Sequence, residues 1–116
     1  HRYILGELVS HQGDVFEVAL AIYWDKAKNK PIQLGELWLV EDQNNIVLKQ
    51  TGEVLKLHVT SETEFVIGPH GEIVSKEVLL DEIDDNTILH LEIVNETIIS
   101  VYDEYFGSMI RLDTLH

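Results

Sequence analysis

Apolar side chains recur at every second position through most of this chain, which is the period of half-buried β-strands. Between Val15 and Trp24, Phe16, Val18, Leu20 and Ile22 share one face, while Val15, Glu17, Ala19, Ala21 and Tyr23 share the other. The small alanines predict that something packs close on that second face. Tyr3 to Val9 reads as an earlier strand, joined to it by a His11-Gln12-Gly13-Asp14 turn in which glycine accepts a positive φ. Asp25 to Pro31 reads as a lysine-rich loop, ended by a proline that disfavours sheet pairing. Leu34 to Val40 then predicts a strand covered on both faces, with Trp38 in the core. Asp42 to Asn45 is its hairpin loop, Ile46 to Lys49 the returning strand, and Gln50-Thr51-Gly52-Glu53 a further turn.

Glu53 to Ile67 predicts two strands separated by a polar corner at Thr60-Ser61-Glu62-Thr63, the bend a small barrel requires. Pro69-His70-Gly71 turns Ile73-Val74 back against Phe65 to Ile67. Ser75 to Ile83 is the one helical pattern, with Ser75 as N-cap, Glu77 in the first turn, and Leu79, Leu80 and Ile83 at helical spacing. Asp84-Asp85-Asn86 ends it. Thr87 to Val94 resumes the strand pattern through Leu89, Leu91 and Ile93, with Ile88 apart from them, and Asn95-Glu96 turns into Thr97 to Tyr102. Met109, Ile110 and Leu112 permit a last short strand. The expected fold is mainly β, a small antiparallel β-barrel of OB-like type with one short helix, as one domain over residues 1 to 116.

Charge changes this picture in the second half. Of a net −13, residues 1 to 60 contribute −2, from 6 positive and 8 negative groups, and residues 61 to 116 contribute −11, from 2 positive and 13 negative. Such a field repels phosphate backbones and anionic membranes and favours cations or basic proteins. Nucleic acid is therefore not an expected partner. No apolar run approaches the roughly 18 residues needed for a membrane-spanning helix. The chain has no cysteine, which removes disulfides, thiolate metal sites and a cysteine nucleophile. His1 is not an initiator methionine, so a signal or anchor segment would lie upstream of it.

Candidate chemistry is sparse. No nucleophile elbow, zinc-protease helix or phosphate-binding glycine loop occurs, so a non-enzymatic protein with no cofactor is expected. His58 and His90 lie on predicted strands, with Glu92 on the same face as His90. If those strands pair, the three could form a zinc site, set against the simpler reading of histidines on a solvated face. Asp81, Glu82, Asp84 and Asp85 offer hard oxygens for calcium but lack the ordered spacing of a calcium loop. Asp81, Asp84 and Asp85, with Tyr102, Tyr105 and Phe106, form the expected interaction patch. Asn95-Glu96-Thr97 matches a glycosylation acceptor and doubles as the hairpin turn.

Gly6-Glu7-Leu8-Val9, Leu57-His58-Val59-Thr60, Glu62-Thr63-Glu64-Phe65, the Leu79 to Leu91 segment and Ile98-Ile99-Ser100-Val101 together resemble small exported or lipoprotein domains of Gram-positive bacteria. Those domains are OB-like barrels with a V-T-x-x-T corner. In this chain Asp84-Asp85-Asn86 stands where their Gly-Asp turn is usual. Their function is unknown, so the resemblance implies the fold and a place at the cell envelope, with an anchor outside this segment, and no catalytic residues. The leading expectation is a non-enzymatic binding module that meets a protein or cell-wall ligand there. A cytoplasmic acidic inhibitor of a basic protein is the alternative from composition, and a metal-binding protein a third.

Overall fold

Two long strands, β1 (Arg2–Gln12) and β2 (Val15–Asp25), form a hairpin about Gly13, whose φ of 60° suits a residue without a side chain. The computed structural model describes residues 1–33, 36, 39–68, 70–84 and 87–103. After the hairpin come β3 (Lys30–Ile32), β4 (Ile46–His58), β5 (Glu64–Ile67), β6 (Glu72–Val74), α1 (Lys76–Glu82), β7 (Ile88–Val94) and β8 (Thr97–Tyr102). The fold is mainly β with one short helix, as the alternating pattern predicts.

The sheet closes on itself through five strands. β1 pairs with β2 and β7, β2 with β4, and β7 with β8. The loop is completed where β4 meets β8 at the single pair His58–Thr97. β5 and β6 extend the sheet from β8, and β3 is a short edge beside the end of β2. Phe16, Val18, Leu57, Leu89, Leu91, Ile93, Ile98 and Val101 fill the interior, each with at most 1% of its surface exposed. Leu79 brings α1 into the same core. Ser75 caps this helix by accepting the Val78 N–H at 3.2 Å, and Lys76 donates to the Gly13 carbonyl at 3.1 Å.

The corner after β4 is built as the Thr-rich sequence requires. The Thr63 hydroxyl accepts the Thr60 N–H at 3.0 Å and donates to the Ile98 carbonyl of β8 at 2.6 Å, while Thr60 Oγ1 accepts the Glu62 N–H at 3.2 Å. These bonds replace ladder pairing where the strand breaks. The corner also changes the expected pairing. β8 runs parallel to both β4 and β5, so the sheet is mixed rather than wholly antiparallel.

Several local expectations change. Gln50 to Glu53 is not a turn but lies inside the 13-residue β4, where Gly52 at φ 86° forms a bulge opposite Ala19 to Ala21. The same turn-forming residues absorb two extra residues in one strand, residues 51–53 standing opposite Leu20 alone. Opposite this bulge, the buried face of β2 changes from Phe16, Val18 and Leu20 to Ala21 and Tyr23, leaving Ile22 half-buried. Ala21 and Tyr23 join Leu5, Ile32 and Ile88 in a second, smaller cluster outside the ring. Pro31 takes part in β3 opposite Trp24, on an edge strand where a missing N–H costs no ladder bond. Ile46 to Lys49 pairs with β2, and with none of the described residues of the 34–40 segment. Within that segment Glu36 and Leu39 have 3-10 geometry and Leu39 is exposed, so neither belongs to the expected two-faced strand. Leu34, Leu37 and Trp38 lie outside the described residues.

Candidate functional site

The five-strand ring has one weak joint, and it lies along β4. In an antiparallel ladder, successive residues direct their backbone groups alternately toward and away from the partner. The Val59 N–H donates to Asp14 at 2.8 Å on the β2 side, whereas the His58 N–H donates to Glu96 at 2.7 Å on the β8 side. Counting back by twos, Leu55 and Leu57 address their backbone to β2, and Val54 and Lys56 address theirs to the joint. Among the described residues, no strand pairs with β4 there.

An open groove of about 690 Å³ fills this place, between β4 and the turn that joins β7 to β8. Arg2, Val54, Lys56, His58, Asn95 and Glu96 line it, with Leu55, Leu57 and Ile93 at its base. Asn95, at φ 56°, makes the turn that the sequence predicts without the help of glycine. Val54 is 51% exposed although it is apolar and in a strand. Arg2 and Lys56 form no ion pair with any carboxylate among the described residues. In a chain of net −13, the charged residues that line the groove are Arg2 and Lys56 against Glu96, with Glu17 across the strand pair from Lys56 and outside the lining.

The anticipated metal set does not assemble. His58 stands beside Thr97 at the start of β8, and His90 stands beside Tyr102 at its end. β8 runs between the two histidine strands, and the five residues separating those registers span roughly 17 Å. His90 is fully buried, packed by its ring 6.4 Å from that of Tyr23, rather than set on a solvated face. Glu92 instead meets His1 Nε2 at 2.9 Å and accepts from Ser100 Oγ at 3.3 Å. Among the described residues, no three His, Asp or Glu side chains are grouped to hold a metal ion.

The expected interaction patch is described in part. Asp81, on α1, and Asp84 just after it are exposed, together with Glu77 and Glu82. Tyr102 is half-buried at the end of β8, between His90 and Val66. This register sets Tyr102 near the end of β7 that the chain enters from α1, away from the Asn95-Glu96 turn. Asp85, Tyr105 and Phe106 lie outside the described residues. Of the other aromatics, Tyr23 is buried and Trp24 is half-buried beneath Lys49 Nζ, 4.0 Å from the ring centroid.

Sequence reasoning did not mark Arg2, Lys56, Val54 or the groove side of Asn95-Glu96. One signal was present: Val54 and Leu55 are adjacent apolar residues after a glycine, where strict alternation has only one. A scan against protein-family models, a search of curated proteins and a search of solved structures each return no match. The functional reading therefore rests on the chain's own geometry.

Proposed function

We propose that this chain is a non-enzymatic binding module on an OB-like β-barrel, taking an extended protein or cell-wall ligand in the groove along β4. The observation that carries the reading is the open joint. Backbone groups of Val54 and Lys56, the exposed Val54 side chain and two cations with no ion pair among the described residues converge on one cleft. The strand order supports the OB-like assignment, since the closing pair is parallel and a helix precedes the last two strands of the ring. OB-folds bind extended ligands on their second and third strands and at the adjoining turns, and β2 and β4 are those strands here. The resemblance of the sequence to exported domains supports work at the cell envelope.

The test is a titration of ¹⁵N-labelled protein with soluble peptidoglycan fragments and, separately, with extended peptides. The reading expects amide shifts at Val54, Lys56, Asn95 and Glu96. Shifts confined to Asp81, Asp84 and Tyr102, or none in either titration, would contradict it. A second reading, an acidic inhibitor of a basic protein, is favoured by the exposed Glu77, Asp81, Glu82 and Asp84 about α1. Its association would weaken steeply with salt. Salt-insensitive binding would remove it.

A further inference from the structure

We infer that the groove recognises an acidic peptide segment, which adds to the sheet as a strand along the open edge of β4. This rests on the groove reading above and names its ligand class. The backbone supplies the first argument. The N–H and C=O groups of Val54 and Lys56 point into the groove two residues apart, the repeat another extended chain presents. A glycan can bond such groups singly, but only a peptide matches their alternation of donor and acceptor.

Side chains supply the second. On an added strand, alternate residues would face Leu55 and Ile93 at the base of the groove and be apolar. The intervening ones would stand beside Lys56, His58 and Arg2 and be acidic. The net charge of −13 does not forbid this. At physiological salt, charges beyond about 8 Å are largely screened. Of the charged side chains that line the groove, Arg2 and Lys56 outnumber Glu96, while Glu17, across the strand pair from Lys56, lies outside the lining. The Gly52 bulge sets the length. It displaces the edge at residues 51–53, so pairing is confined to a strand of roughly four residues between the bulge and the His58–Glu96 bond.

The experiment uses three blocked hexapeptides: alternating Glu and Val, alternating Lys and Val, and the Glu-Val peptide N-methylated on alternate backbone nitrogens. Hydrogen exchange of the ¹⁵N-labelled protein reads the edge directly. The Glu-Val peptide is expected to slow exchange at Val54 and Lys56. The Lys-Val and N-methylated peptides are each expected to bind about tenfold more weakly, the effect of roughly two net hydrogen bonds or a reversed charge pair. Lys56→Glu, at an exposed position, is expected to reverse the preference between the two charged peptides. Unchanged exchange at Val54 and Lys56 with millimolar Glu-Val peptide, or equal affinity of its N-methylated form, would overturn strand addition. The groove reading would still stand if peptidoglycan fragments shifted Val54 and Asn95, and would fall as well if no probe did. Concentration-dependent dimerisation that protects the same two amides in the free protein would assign the edge to a second copy, and would also overturn the inference.

Discussion

β7 and β4 belong to the same closed sheet, yet they are held in opposite ways. β7 is bonded on both sides, to β1 and to β8, and Leu89, Leu91 and Ile93 are each at most 1% exposed. Between Val54 and His58, β4 is bonded to β2 on one side and to β8 only at His58, and Leu57 is its one buried side chain. A strand satisfied on both edges can be nearly all apolar. A strand with an open edge carries Lys56 and a glycine bulge, two devices that discourage indiscriminate pairing of exposed edges. The contrast separates the residues that hold the fold from those free to meet a partner.

Substitutions should sharpen this contrast, beginning with the interior of β7. Leu91→Ala is expected to lower stability by roughly 3 kcal/mol, measured by urea denaturation, because it opens a cavity in the packed ring. Val54→Ala, the same kind of truncation on β4, should cost less than about 0.5 kcal/mol. Equal losses would erase the distinction between the two strands. Gly6→Ala tests the closed side by addition. A β-carbon there would overlap the Val18 side chain and lie 2.7 Å from the Ala19 carbonyl oxygen, so a loss of about 2 kcal/mol is expected. A melting temperature equal to that of the parent would show that β1 and β2 are less tightly apposed. Thr63→Val tests the corner that aligns β8 with β5. Removing a hydroxyl that both accepts from Thr60 and donates to Ile98 should cost roughly 1 kcal/mol in the same denaturation assay, and a neutral result would mean that packing alone holds the corner.

Much of the ring was legible in the sequence because alternation is enforced wherever one strand face meets the core. Leu89, Leu91 and Ile93, the Ser75 cap and the Thr60 to Thr63 corner follow from that rule and from side-chain hydrogen bonding. Where strand residues have more than one use, legibility fails. Gln50 to Glu53 has turn composition, and a bulge draws on the same residues as a turn. Val15 to Trp24 alternates without a break, yet its buried face changes opposite that bulge, a displacement encoded on another strand. The groove was hidden for a related reason. Its lining comes from β1, β2, β4, β7 and the β7–β8 turn, and their convergence depends on a single pair between β4 and β8. Likewise, nothing local to His58 or His90 reveals that β8 separates them.

Hydrogen exchange along β4 in the free protein tests the open joint most directly. Leu55 and Leu57 should exchange slowly, since their amides face β2. Val54 and Lys56 should exchange faster by orders of magnitude, their amides facing the groove. That alternation between neighbouring residues is what the account predicts. Uniform protection from Val54 to Leu57 would show that the edge is already covered, and would contradict a binding site there.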